Sequence, residues 1–263
     1  MPLVERGRRS IHYESIGDPA KPPLLLIMGL GFSSRGWDRL PALLARDFHV
    51  LIFDNLGTGR SGRMGFAYRM PDLADDAAAV IAGAGAPSAH VFGISMGGMI
   101  AQELAIGHPG RVRSLALGCT FASWRSRTAP SLGTKIDLLL LNLGLVTPAR
   151  ISRVLVSADW HAAHPDSALR WVRRAERAAL RYATAQVLAI ARHEAMPRLH
   201  QIRAPTLVLT GGADKLVPPA NSEVLARDIP GARLLVFPGA GHVFPLEREA
   251  ETVSALRQHF LAH

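Results

Sequence analysis

The pentapeptide Gly93-Ile94-Ser95-Met96-Gly97 constrains this chain more than any other stretch. Before it, residues 89–94 are a short apolar run that reads as a buried strand. After it, residues 99–105 carry the pattern of a helix. A chain that turns from strand to helix within one or two residues puts its apex in a strained backbone conformation. Glycine at 93 and 97 removes the Cβ atoms that would collide there. Ser95 is therefore expected at the carboxyl edge of a sheet and the amino end of a helix, where amides favour developing negative charge. The five residues alone also fit a Gly/Ser packing turn with a capping serine. Flanking strand and helix together carry the nucleophile reading.

The elbow sits in a regular alternation of elements. Residues 3–5 and 11–15 flank Gly7 and read as an antiparallel hairpin. Continuous apolar runs at 24–28, 49–54 and 112–118 are expected as strands buried on both faces of a parallel sheet. Helices are expected over 37–45 and 72–82, and a Gly-rich loop over 55–62. That loop lacks both the Gly-Lys-Ser/Thr ending of a phosphate loop and dinucleotide spacing, so it reads as a tight loop beside the sheet edge. The rhythm resumes with strands at 206–210 and 233–237. A helix is expected from Pro218-Pro219 to Asp228, and a closing helix over 246–261. The expected fold is α/β: a mostly parallel eight-stranded sheet with helices on both faces.

Between the sixth and seventh strands the alternation breaks. Residues 121–203 read as a helical cap dividing the core into 1–120 and 204–263, with 167–193 as its longest helix. Arg170, Arg173, Arg174, Arg177 and Arg181 would form one charged face of that helix. The segment holds 13 Lys/Arg against 5 Asp/Glu, so nearly all of the formal +9 charge lies there. Such a surface could steer an acidic ligand. The basic residues are almost all Arg, which a biased coding composition would also produce. No nucleic-acid motif or basic–aromatic interleaving is present, so no nucleic-acid partner is expected. With 48 % apolar residues in 263, the chain can bury a full core. No apolar run approaches the ~18 to 20 residues of a membrane span, and the first residues do not resemble a signal peptide. The single cysteine, Cys119, cannot make an internal disulfide, so a cytoplasmic setting is the default expectation. Oligomeric state, monomer or homodimer, is not indicated.

A serine hydroxyl needs a base to take its proton, and the base needs a third group to fix its tautomer. Asp214 follows the strand at 206–210 and His242 the strand at 233–237. The order Ser95, Asp214, His242 is that of a G-x-S-x-G elbow on a sheet of this type. Asp54 also ends a strand, but it precedes the elbow and leads the Gly-rich loop, so a structural role is expected. His108 lies away from the strand tips. His161 and His164 form an H-x-x-H pair with no evident third ligand, so no metal site is expected. The backbone N–H groups of Met96 and Leu30 are the expected oxyanion donors.

Taken together, Gly93 to Gly98, Gly211-Gly212-Ala213-Asp214 with Val217-Pro218-Pro219, Pro238 to His242, and Asp54 to Ser61 resemble the α/β-hydrolase superfamily in its cap-bearing branch. The resemblance implies an esterase, lactonase, C–C bond hydrolase or perhydrolase, without metal or organic cofactor. Ser95 argues against its carboxylate-nucleophile branches. Two positions depart from the common pattern. Met28-Gly29 stands where many relatives carry His-Gly, a variant that looks like the antibiotic methylesterases. Leu56 stands where an Arg is common, which implies altered packing. The expected activity is hydrolysis of a small-molecule carboxylic ester. A lactonase, a C–C hydrolase or a low-turnover receptor of the same fold are the alternatives. Gly29, Phe32, Trp124, Trp160, Val217 and Val243 are the expected pocket residues.

Overall fold

The computed structural model describes residues 2–62, 68–142, 145 and 147–263. Eight strands form one sheet in the order β1-β2-β4-β3-β5-β6-β7-β8. β1 (Leu3–Arg6) and β2 (Arg9–Ile16) pair antiparallel across Gly7, whose φ of +60° suits the tight turn. β2 also runs antiparallel to β4 (His49–Phe53). All later pairings are parallel, through β3 (Pro23–Ile27), β5 (Ala89–Ile94), β6 (Val112–Gly118), β7 (Thr206–Gly211) and β8 (Arg233–Phe237).

Alternation along the central strands divides the interior in two. Leu25, Ile27, Leu51 and Phe53 face one core with α2 (Met70–Gly83) and α3 (Met96–Gly107). Leu24, Leu26, Val50 and Ile52 face the other, with α1 (Leu40–Leu44) and α11 (Glu249–Leu261). The continuous apolar runs are thus the signature of strands covered on both sides. β8, at the sheet edge, leaves Leu234 and Val236 exposed.

Among the described residues, five α-helices lie between β6 and β7: α4 (Leu132–Asn142), α5 (Pro148–Leu155), α6 (Ala158–Ala163), α7 (Pro165–Arg174) and α8 (Leu180–Ala191). The single long helix expected over 167–193 is therefore two. Ser33 N–H donates to the Ala175 carbonyl at 2.9 Å, and Ala178 N–H donates to the Gly31 carbonyl at 2.8 Å. Those groups serve the loop after β3 instead of the helical ladder, and Glu176 between them takes a φ of +43°. The arginine face divides accordingly, with Arg177 in the connector and Arg181 on α8. Two other expected helices also divide. A 3-10 turn, Ser34–Trp37, precedes α1, with Asp38 at φ +49° between them. Arg248 separates α10 (Phe244–Glu247) from α11. Pro219 caps α9 (Ala220–Asp228) from just outside it. Among the described residues, no helix is long and apolar enough to cross a membrane.

Candidate active site

Ser95 joins β5 to α3 with φ 57° and ψ −121°, the strained apex that the flanking pattern implies. The glycines around it are forced by backbone approach. A Cβ on Gly93 would stand 2.2 Å from the Gly97 carbonyl oxygen, and one on Gly97 would stand 2.0 Å from that of Ile27. The turn is clamped to the end of β6. Ser95 N–H donates to Gly118 O at 2.8 Å, and the Thr120 hydroxyl donates to Ser95 O at 2.7 Å.

His242 and Asp214 are both buried and meet as the order of strands suggests. Nδ1 of His242 lies 2.7 Å from Asp214 Oδ2, which leaves Nε2 as the nitrogen available to a reacting group. The other carboxylate oxygen of Asp214 accepts the N–H groups of Leu216 and Val217 at 2.8 and 2.9 Å. These bonds fix the carboxylate plane. Burial is the largest single influence on the imidazole and lowers its pKa, but the charge and hydrogen bond of Asp214 together with the neighbouring Cys119 outweigh it, and the pKa is raised well above 6.5. Among the described residues, no hydrogen bond links Ser95 Oγ to His242. The two side chains share the wall of one cavity, a separation common in ligand-free sites.

That cavity measures about 450 Å³ and its walls are mostly apolar. Of the residues expected in the pocket, Gly29, Phe32, Trp124, Val217 and Val243 line this cavity, and so does Leu30. Trp160 does not. It sits on α6, and its ring stacks on His164, 4.7 Å away. Trp171 of α7, not foreseen, is a wall residue instead. Its Nε1–H donates to Gly36 O at 2.9 Å, and its ring lies 5.3 Å from that of Phe32.

Met96 is the first residue of α3, so its N–H has no acceptor within the helix. The Leu30 N–H makes no hydrogen bond among the described residues. Gly29 lies so close to the serine that a Cβ there would stand 3.2 Å from Ser95 Cβ. Asn55 Nδ2 donates to Met28 O at 2.9 Å, and Asp54 accepts Ser34 N–H at 2.8 Å and Arg60 N–H at 2.9 Å. Asp54 is therefore the structural group that the sequence implies. Gln186 of α8 escaped the sequence reading. Its Oε1 accepts Gly31 N–H at 2.8 Å and its Nε2 donates to Leu56 O at 3.3 Å. A helix 155 residues away thus holds the loop after β3.

Cys119 is a second unforeseen neighbour. Its thiol donates to the His242 carbonyl at 3.1 Å, and its Sγ lies with the Asp214 and His242 ligand atoms within 4.8 Å. Burial raises the thiol pKa, whereas a metal would need the thiolate. Asp214 is already engaged by a ring nitrogen and two amides. The cluster is a hydrogen-bonded set whose atoms are committed to one another.

Residues 22–249 match the family described as the alpha/beta hydrolase fold. The chain belongs to the α/β hydrolase family. It is 33 % identical to RutD of Azorhizobium caulinodans, provisionally named a carbamate hydrolase, over 93 % of this chain and 92 % of that one. It is 29 % identical to the rhodomycin D methylesterase DnrP of Streptomyces peucetius, over 98 % and 97 %. Among solved structures, an esterase from Thermogutta terrifontis superposes with a TM-score of 0.82 at 25 % identity, over 97 % of this chain and 95 % of that one. An enol-lactonase from Burkholderia xenovorans LB400 superposes over the full length of both chains with a TM-score of 0.87 at 24 % identity, a likeness of fold. The named relatives share hydrolysis and differ in the bond cleaved.

Proposed function

We propose that this α/β hydrolase cleaves a carboxylic ester through an acyl-enzyme formed on Ser95. The observation that carries the reading is the buried Asp214–His242 pair, which opens on the same cavity as a serine held at a strained elbow. In the first step His242 Nε2 takes the hydroxyl proton as Oγ attacks the ester carbonyl. The negative oxygen of the tetrahedral intermediate is met by the amides of Met96 and Leu30, each worth about 3 kcal/mol of barrier. His242 then gives its proton to the departing alcohol. Water, deprotonated by the same ring, attacks the acyl-enzyme and releases the acid. Asp214 holds the ring and stabilises its charged form.

The helices between β6 and β7 serve in this reading as a cap roofing the cavity, through α5, α7 and α8. The apolar walls favour an ester with an apolar acyl or alcohol portion over the carbamate named for RutD. The likeness to a methylesterase also supports an ester.

The test is hydrolysis of p-nitrophenyl esters of increasing acyl length by wild type and Ser95→Ala side by side. Wild-type turnover that falls by several orders of magnitude in the variant supports the reading. Equal turnover in both would overturn the mechanism. Turnover of a lactone or an alkyl carbamate but of no ester would overturn the bond assigned.

A further inference from the structure

The cavity at Ser95 is apolar in its walls but not neutral in its charges. Three acidic residues line it, and each is matched by a cation. Asp38 lies 2.9 Å from Arg174, Asp137 lies 2.6 Å from Arg150, and Glu249 lies 3.7 Å from Arg39. Two basic lining residues, Arg127 and Lys135, have no carboxylate within ion-pair distance among the described residues. The uncompensated charge on the cavity wall is therefore positive.

Arg127 is held in place by its surroundings. Its guanidinium lies 3.3 Å from the ring centroid of Trp124 and 5.6 Å from that of Phe121, both of which also line the cavity. It donates to the Trp124 carbonyl. The next residue is locked to α9, where Asn221 accepts Thr128 N–H and donates to Thr128 O, each at 2.9 Å. Trp124 N–H donates to His193 O at 3.1 Å. Partial burial without a counter-charge lowers the guanidinium pKa, so the group sits in a setting that an anion would improve. The cation–π contacts hold the guanidinium at the cavity wall, and its N–H groups other than the one given to the Trp124 carbonyl are available to a ligand.

A second, polar hollow adjoins the cavity and shares Asp137, Arg150 and Val154 with it. Its other charged residues are Arg153 and Lys215, again without a carboxylate partner among the described residues. Basic side chains without an ion-pair partner among the described residues thus border both hollows.

We propose that Arg127, assisted by Lys135, forms a subsite for an anionic group of the substrate remote from the bond cleaved. The substrate class is then an ester with an apolar body and a carboxylate or phosphate end. This rests on the cavity being the ester site, and it adds the residue that selects among esters.

Calorimetric binding to Ser95→Ala tests it without turnover. The probes are monoamides of dicarboxylic acids from succinate to sebacate, each beside the neutral alkyl amide of equal length. A parallel series of alkyl phosphates distinguishes the two oxyanions. At the length that spans the subsite, the anion is expected to bind about tenfold or more tighter than the neutral amide. The preference is expected to shrink with salt and to collapse in Arg127→Gln, with a smaller loss in the exposed Lys135→Gln. Equal affinity of acids and amides at every length would overturn the proposal. So would an equal loss for both probes in Arg127→Gln, which would make Arg127 a packing residue only. Wild-type hydrolysis of p-nitrophenyl hexanoate reports separately on the ester reading. Its presence with no anion preference sinks the subsite alone, and its absence sinks the ester while binding still decides the subsite.

Discussion

Ser95 and His242 are set by opposite devices, backbone strain for one and charge for the other. The strain at Ser95 is enforced by approach distances that only glycine allows. Gly97→Ala would drive a Cβ into the Ile27 carbonyl, an atom of β3 that cannot swing aside. A cost of about 3 kcal/mol is expected. Thermal unfolding should show a fall in Tm on the order of 10 °C, against almost none for Gly110→Ala, whose Cβ would meet nothing within 4 Å. The charge at His242 predicts a pH profile. A general base works only when deprotonated, and Asp214, with Cys119 beside it, raises the imidazole pKa well above 6.5. The acid limb of kcat/KM is therefore expected above the ordinary imidazole value. In Asp214→Asn the chief opposition to burial is lost, so the limb should move to lower pH while kcat falls about a thousandfold or more. A wild-type limb below 6.5, or one unmoved in Asp214→Asn, would contradict this account.

At the scale of elements, the loops after β3 and β4 are supported from outside the sheet. Gln186 of α8 holds both, through Gly31 and Leu56. On the same face Gly57 packs so close to Tyr182 that a Cβ would lie 2.9 Å from the side chain. Glu247 of α10 does the same for the histidine loop. It accepts Gly241 N–H at 2.8 Å and Ser157 N–H at 3.0 Å, which ties His242 to the start of α6. Gln186→Leu keeps the volume and removes both hydrogen bonds. With the Gly31 amide released, the loop that carries the proposed oxyanion donor Leu30 loses its register. Turnover of a neutral ester should fall about tenfold or more in kcat with KM little changed, and Tm should fall only slightly. A rise in KM alone would show that Gln186 shapes the pocket without positioning the loop. The strands were legible from apolar runs because burial on both faces leaves that mark. The inserted helices were not. Their boundaries depend on backbone groups at Ala175 and Ala178 that bond to a distant loop, and helical periodicity does not record where a ladder is diverted.

Across the whole molecule, buried histidines set the response to acid. His90, His193 and His259 are each almost fully buried, and burial lowers the pKa of each to about 4. His90 bonds Ser114 Oγ at 2.8 Å and His259 donates to Leu115 O at 3.0 Å, while Nδ1 of His193 lies 3.6 Å from Glu103 Oε1. All three are neutral when folded, and unfolding exposes them to protonation near 6.5. The unfolded chain then binds more protons, so stability falls as the pH drops from 6.5 toward 4. Each costs about 2 kcal/mol at pH 5. His242 has the opposite sign. Its contribution is fully present below 6.5 and is lost as the pH rises through its raised folded value, so it does not offset the loss in the acid window. A decline in Tm on the order of 10 °C between pH 7 and pH 5 is expected from calorimetry. A flat profile over that window would mean that these rings take up protons in the folded state.

The local chemistry of this protein is written in consecutive residues. The elbow, the eight strands and the order Ser95, Asp214, His242 each rest on patterns a few residues long, because strand burial and a tight turn are short-range demands. What surrounds that chemistry was decided only by packing. Gln186 meets Gly31 across 155 residues, Trp171 meets Gly36 across 135, and the Cys119 thiol reaches the His242 carbonyl across 123. The same is true of charge. The sequence counts 13 basic residues between 121 and 203, but the folded chain alone selects which of them face the cavity unpaired. Composition sums over a segment, whereas a binding site depends on which few side chains lack a partner.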